Sequence, residues 1–359
     1  MSKKVVVGMS GGVDSSVAAW LLKKQGYEVI GVTMKLWHEE LSEKSGNCGM
    51  LTAIQDAKKV ADMLAIPHYV IDFQEEFKEK VVDYFVEEYL RGRTPNPCNA
   101  CNRFIKWEAL LEKGREIGAE YIATGHYARI DKLSNGRFSV RNSLTATKDQ
   151  TYALYNLTQE QLTRTIMPIG EYDKDERRRM AMDMGLPVAS KPDSQDICFS
   201  PDGDYGAFLE REAKGRLPGN GDFVDKSGKI LGTHKGVTHY TIGQRKGLNL
   251  AMGHPVFVSE LRPELNQVVI GENEDIFGNV VICDKVNYMA MEDLKEPRKA
   301  LVKIRYAHKG TMCLLEKMED GKVKCTFDEL VRAATPGQAA VFYENGYVLG
   351  GGTIVGTHL

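Results

Sequence analysis

Ser10-Gly11-Gly12-Val13-Asp14-Ser15-Ser16 follows the apolar run Val5-Val6-Val7, and Val13, Val17, Trp20 and Leu21 then fall on one helical face. The stretch is therefore a strand that turns through glycines into a helix. Outward from it the alternation continues. Val29 to Met34 reads as a strand, Thr52 to Leu64 as a helix and Tyr69-Val70-Ile71 as a strand. Val81 to Leu90 and Phe104 to Ile117 read as helices, and Tyr121-Ile122-Ala123 as a strand. This order predicts an α/β fold whose parallel sheet is covered by helices on both faces. The pattern changes after Asp204. Gly219 to Leu250 is rich in glycine and β-branched residues. Short alternating runs follow at Pro255 to Ser259, Asn266 to Ile270, Leu301 to Tyr306, Lys322 to Phe327, Ala339 to Tyr343 and Tyr347 to Thr353. Gly, Asn and Asp separate many of them, as in hairpins, so a small central domain and a C-terminal antiparallel β-barrel are expected, with divisions at 1–205, 206–275 and 276–359.

The chain has 359 residues, enough for about two to three domains. Apolar residues are 42 % and charged residues 27 %, an ordinary globular composition that excludes wholesale disorder. Lys plus Arg is 47 and Asp plus Glu is 49, a net charge of −2. A chain this close to neutral is no purely electrostatic nucleic-acid binder, although a local basic patch remains open. No apolar run approaches the roughly 18 residues of a membrane span. Met1-Ser2-Lys3-Lys4 leads into an apolar stretch too short for a signal-peptide core. A cytoplasmic protein with no membrane or DNA partner is expected.

The glycines of the 10–16 loop let backbone approach a ligand closely, and the helix start suits a phosphate. Ser10, Ser15 and Ser16 add hydroxyls, while Asp14 beside a phosphate must hold Mg²⁺ or orient the loop. The loop lacks the lysine of G-x-x-x-x-G-K-[ST] and does not match G-x-G-x-x-G. It resembles the pyrophosphate loop of the N-type ATP pyrophosphatases, which cleave ATP to AMP and pyrophosphate while adenylating an oxygen. A plain glycine turn with serine caps is the competing reading.

Seven cysteines, an odd and sparse set, favour reduced thiols over a disulfide framework. Cys98 and Cys101 lie in Pro95-Asn96-Pro97-Cys98-Asn99-Ala100-Cys101-Asn102, three apart and able to face one site. Cys101 is expected to start the helix Phe104 to Ile117, where its pKa would be lowered from about 8.5. Cys198 stands in Ser194-Gln195-Asp196-Ile197-Cys198-Phe199, whose polar residues indicate an accessible loop. It lies 198 − 101 = 97 residues past Cys101, so only the fold can join them. A redox pair, half of a zinc site and a three-cysteine iron–sulfur cluster are all open readings. Cys283, Cys313 and Cys325 read as small core residues, and Cys48 as a loop residue. His38-Glu39-Glu40 with Pro97-Cys98-Asn99-Ala100-Cys101 matches both halves of the zinc deaminase signature, but that reading leaves the glycine loop and Cys198 unexplained.

Taken together, these blocks resemble the bacterial tRNA-specific 2-thiouridylases across nearly the whole chain. Further blocks are Arg93-Thr94-Pro95-Asn96-Pro97, Thr124-Gly125-His126-Tyr127-Ala128-Arg129, Lys148-Asp149-Gln150, Tyr240-Thr241-Ile242-Gly243-Gln244-Arg245-Lys246-Gly247 and Pro336-Gly337-Gln338-Ala339. The resemblance implies an ATP-pyrophosphatase domain of the adenine nucleotide alpha hydrolase type, a tRNA-contacting central domain and the barrel. It implies that sulfur replaces O2 of the wobble uridine in the tRNAs for Lys, Glu and Gln. By motif, Gly8, Met9, Ser10, Gly11, Gly12, Val13, Asp14, Ser15, Met34 and Gly125 would bind ATP, with Mg²⁺. Asn96, Pro97 and Cys98 would surround the target base. Cys198 would carry a persulfide reloaded by a sulfur-carrier protein, with Cys101 as its catalytic partner. His126, Lys148, Asp149, Gln150, Arg305, Tyr306 and Gln338 would touch tRNA, although each is also readable as structural. Many relatives have Asp where this chain has Cys98; a thiol is a weaker acid by about four units and cannot inherit an acid–base role. A [4Fe–4S] cluster held by Cys98, Cys101 and Cys198 is the alternative. Lys295 to Lys309, with six basic residues against Glu296 and with Tyr306 and His308 for stacking, is the expected RNA face. Arg177-Arg178-Arg179 reads as a solvated helix face. An ATP-dependent ligase on the same loop, or a non-catalytic tRNA-binding protein, are the competing functions.

Overall fold

The computed structural model describes residues 2–37, 50–145, 149–191, 197–199 and 205–358. The chain divides into two compact units. The first comprises Met1–Val81, Cys98–Gly203 and Asn345–Val348; the second comprises Val82–Pro97, Asp204–Glu344 and Leu349–Leu359.

In the first unit the strands are β1 (Lys4–Gly8), β2 (Glu28–Lys35), β3 (His68–Asp72), β4 (Tyr121–Ala123), β5 (Ala128–Lys132), β6 (Phe138–Asn142) and β7 (Thr165–Ile166). Five of them form one sheet in the order β3-β2-β1-β4-β7, every pair parallel. Val5, Val6 and Val7 of β1 have no exposed surface, which is why this strand reads as an unbroken apolar run. β3 lies at the sheet edge and leaves Tyr69 and Val70 exposed. Helices Val13–Lys24 and Met50–Met63 bury Val17, Leu22, Ala57 and Val60 in the core around β1. β5 and β6 form an antiparallel hairpin that the sequence reading did not foresee.

Two helices differ from their expected form. The 81–90 segment begins as a π-helix at Lys78–Asp83 and becomes α-helical at Tyr84–Leu90. The helix expected from Phe104 starts at Pro97, passes through a nine-residue π-helix at Cys101–Ala109 and ends as Leu110–Glu116. Proline suits a first turn, where its missing N–H costs nothing.

The second unit holds β8 (Gly221–Val224), β9 (Ile230–His234), β10 (Phe257–Arg262) and β11 (Gln267–Gly271) in a sheet of order β10-β11-β8-β9. Phe223, Tyr240, Val258 and Val268 fill its core. β12 (Phe277–Tyr288), β13 (Arg298–Lys303), β14 (Thr311–Lys317), β15 (Val323–Arg332), β16 (Ala339–Glu344) and β17 (Tyr347–His358) follow. They run in the order β12-β15-β14-β13-β16-β17, and β12 also pairs with β17, closing a six-stranded barrel without free edges. Asn345 and Gly346, both at positive φ, make the tight turn before β17. Cys283, Cys313 and Cys325 are fully buried inside the barrel, with the Cys283 and Cys325 sulfurs 3.9 Å apart, in agreement with their reading as core residues.

Candidate active site

The loop after β1 is shaped by steric need. Gly11 has φ +68, and a Cβ there would stand 2.4 Å from the Ala53 carbonyl oxygen. No side chain caps the helix start at Gly12. Ser15 and Ser16 instead donate their hydroxyls back to the Gly12 carbonyl, at 3.2 and 2.8 Å. Ser15 Oγ also accepts from the Ser10 amide at 3.2 Å. The dipole end of a twelve-residue helix therefore faces the loop without a side-chain cap, a geometry suited to phosphate. Two of the other expected nucleotide residues reach the same place. A Cβ on Gly125 would lie 2.7 Å from the Ser15 amide nitrogen, and the Met34 side chain passes Gly8.

Asp14 is held rather than presented. Its carboxylate is ion-paired with Arg177 and accepts from the Tyr127 hydroxyl at 3.2 Å. Arg177 is 1 % exposed, stacks over the Tyr127 ring at 3.9 Å and donates Nε to the Asp173 carbonyl. The expected solvated face for Arg177 is thus corrected: the ion pair with Asp14, 163 residues away, draws it into the core. Lys191 reaches the loop from a third direction, donating to the Gly11 carbonyl at 3.2 Å and to Asp56 at 3.0 Å. Neither partnership leaves a local signal in sequence, because both join residues more than a hundred positions apart.

Cys98 and Cys198 are exposed and Cys101 is buried. Burial pushes the Cys101 thiol up, with Lys106 opposing and Cys98 adding. The expectation of a lowered Cys101 pKa is therefore corrected: the residue is not at a helix start but inside a helix that begins at Pro97. Cys198 keeps exposed surface, yet the protein around its sulfur pushes the thiol up to about 12, and the fields of Cys101 and Cys98 add to that shift. The fold has brought the three thiols within electrostatic reach of one another. Among the described residues, no group of three or more His, Cys, Asp or Glu side chains is arranged to hold a metal ion. Lys106, whose ammonium bonds Asn102 at 2.9 Å, is the cation acting on both Cys101 and Cys198, and the sequence reading missed it.

The residues expected to touch tRNA are occupied within the protein to differing degrees. His126 is buried, its Nδ1 2.7 Å from Thr124 Oγ1 and its ring 5.2 Å from Trp107. Burial, aided by Lys106, holds its pKa well below the usual histidine value. Asp149 accepts from the Ser143 amide at 2.9 Å and from Thr151; Gln150 accepts from the Tyr127 amide at 2.9 Å. Arg305 donates to the Arg332 carbonyl at 2.8 Å, Tyr306 is half exposed, and Gln338 donates to the Thr94 carbonyl at 2.7 Å. In the expected RNA face, Arg298 is bidentate to Glu344 and Lys299 pairs with Asp328. Asn96 is half-buried and Pro97 buried. Lys148, Cys48, the His38–Glu40 motif and Ser194 to Asp196 lie outside the described residues.

One unit of the chain thus holds an α/β domain, a glycine loop without a side-chain cap, an ion-paired loop aspartate and three free thiols, an arrangement suited to phosphate and to thiol chemistry. Family models match in the same order along the chain: a tRNA methyl transferase HUP domain at residues 3–202, a tRNA methyl transferase PRC-barrel domain at 206–272 and an aminomethyltransferase beta-barrel domain at 279–354. The tRNA-specific 2-thiouridylase MnmA of Lachnoclostridium phytofermentans is 57 % identical over 357 residues, covering 98 % of this chain and 99 % of its own. The corresponding proteins of Clostridioides difficile and Clostridium perfringens are each 52 % identical, with coverage of 98 % or more on both sides. The chain belongs to the tRNA-specific 2-thiouridylase family. Among the described residues, no helix is long and apolar enough to cross a membrane.

Proposed function

We propose that this chain is a cytoplasmic enzyme that 2-thiolates the wobble uridine of the tRNAs for Lys, Glu and Gln at the expense of ATP. Cys98, Cys101 and Cys198 stand within electrostatic reach of one another in the unit that also holds the glycine loop, and this observation carries the reading. Two chemical problems explain the pairing. A carbonyl oxygen is a poor leaving group, and adenylation of uridine O2 converts it into the oxygen of AMP. Mg·ATP occupies the Gly8–Ser15 loop with Met34 and Gly125, and pyrophosphate leaves. The second problem is a sulfur nucleophile. A sulfur-carrier protein loads Cys198 as a persulfide, which ionises more readily than the thiol it replaces. Its terminal sulfur attacks C2 and AMP departs. Cys101 then attacks the Cys198 sulfur, breaking the S–S bond and leaving the sulfur on uridine. The two thiols are oxidised to a disulfide as the transferred sulfur is reduced. The raised pKa of both thiols favours their protonated form before loading. Asn96, Pro97 and Cys98 face the extruded base, whose unstacking costs about a few kcal/mol.

The test is anaerobic thiolation of tRNA with ATP and a persulfide donor, with iron content measured in parallel. Full activity in iron-free protein, lost in Cys101→Ser and Cys198→Ser while tRNA affinity stays within about twofold, is expected. Activity that rises and falls with iron overturns the persulfide route. No thiouridine from folded wild-type protein overturns the function.

A further inference from the structure

Thr94 stands two residues before Asn96, and all of its hydrogen-bonding groups are engaged. Its amide donates to the Pro336 carbonyl at 2.9 Å. Its carbonyl accepts from Gln338 Nε2 at 2.7 Å. Its hydroxyl meets the Thr241 hydroxyl at 3.2 Å. The fit is close as well as bonded: Gly337 has φ +93, and a Cβ there would come within 2.9 Å of the Thr94 nitrogen. The two gripping loops also pack on each other, since a Cβ on Gly243 would lie 2.6 Å from that of Ala333. Upstream, Arg93 returns its amide to the Glu88 carbonyl at 2.9 Å, and Gly92 packs under the ring of Pro263. Downstream, Pro95 and Pro97 fix two of the next three φ angles, leaving little slack between Thr94 and Pro97.

We propose that Thr94 is a positioning residue, gripped by Gln338 and Thr241 so that Asn96 and Pro97 are held ready for the target base. The inference rests on the function proposed above and gives Gln338 a different task from the tRNA contact implied by resemblance. It also joins three sequence blocks, Arg93 to Pro97, Tyr240 to Gly247 and Pro336 to Ala339, into one clamp. A grip of this kind acts on the rate of the chemical step rather than on tRNA affinity.

The variants are Thr94→Val, Thr241→Val, their double, and Gln338→Met, which keeps length but loses the donor. Single-turnover thiolation, tRNA Kd and deuterium exchange of the 93–98 peptide are read for each. Each single variant is expected to slow thiolation by about threefold to tenfold, the range for one lost hydrogen bond, with tRNA Kd unchanged within about twofold. Thr94→Val and Thr241→Val remove the same bond, so their double is expected to be no slower than either single. Exchange at 93–98 rises in all four. Unchanged exchange overturns the clamp whatever the activity. A loss carried wholly by tRNA Kd in Gln338→Met overturns it in favour of direct contact. Wild-type protein that forms no thiouridine strikes the proposed function instead, and the exchange data still decide the clamp.

Discussion

A guanidinium buried as deeply as that of Arg177 needs a partner, and Asp14 supplies the charge while Tyr127 supplies a ring face. The Nη2 atom of Arg177 has no hydrogen-bond partner among the described residues, so the site is not built for stability alone. Replacing a buried ion pair by apolar groups is often neutral or stabilising, whereas an orphaned charge is costly. Asp14 retains 30 % of its side-chain exposure and rehydrates if its partner is removed. Arg177→Met is therefore expected to leave the unfolding midpoint unchanged or raised. ATP affinity, which depends on where Asp14 is held, should fall by about tenfold or more, the equivalent of ~1.4 kcal/mol. Calorimetric titration with Mg·ATP checks this. Wild-type affinity in the variant would show that the Asp14 carboxylate needs no anchor.

Arg177 is delivered by the helix Lys174–Asp183, whose start is fixed by a reciprocal cap. Asp173 accepts from the Glu176 amide, and the Glu176 carboxylate accepts from the Asp173 amide, both at 2.8 Å. Asp173→Ala should cost about 1 kcal/mol, seen as roughly fivefold faster amide exchange in the first turns of this helix. Asp173→Asn should restore protection, and equal exchange in all three proteins would refute the cap's role. Elements of this kind show what sequence can and cannot disclose. β1, the glycine loop and the parallel order were legible because they rest on local composition: three consecutive valines, two glycines and regular alternation. The barrel was legible as a class from its short runs, but β12 and β14 were not, since neither is set off by a plain alternation. The π-helix at Cys101–Ala109 has no local signature; it changes only which residues share a face, and with that the surroundings of Cys101. The basic run 295–309 reads as uniformly cationic for a related reason: Glu344 and Asp328, which pair with Arg298 and Lys299, are contributed by other strands. The candidate nucleotide and cysteine residues were legible by motif, whereas Arg177, Lys191, Lys106 and Thr94 act through partners that only the fold supplies.

At the scale of the molecule, tryptophan fluorescence reports on the first unit, because Trp20, Trp37 and Trp107 all belong to it. That unit also contains His68 and His126, each lowered in pKa chiefly by burial, His126 the more strongly. The sign follows from linkage. Unfolded imidazoles take up protons near pH 6.5, while the buried ones stay neutral to lower pH, so protons favour the unfolded state. The contribution is fully present above about pH 6.5 and is lost as pH falls from there toward the folded pKa values. The carboxylates whose pKa is lowered, Asp225, Asp275, Asp293 and Asp320, lie in the second unit, and their stabilising contribution is lost only as pH falls below the usual aspartate value of 3.8. Urea unfolding followed by tryptophan fluorescence should therefore show a midpoint that falls between pH 7.5 and 5.5. His126→Gln, which keeps a neutral polar group, should flatten that slope by up to one proton, or about 1.4 kcal/mol per pH unit. An unchanged slope in His126→Gln would mean that His126 titrates alike in the folded and unfolded chain, and would overturn its burial as the cause of the pH dependence.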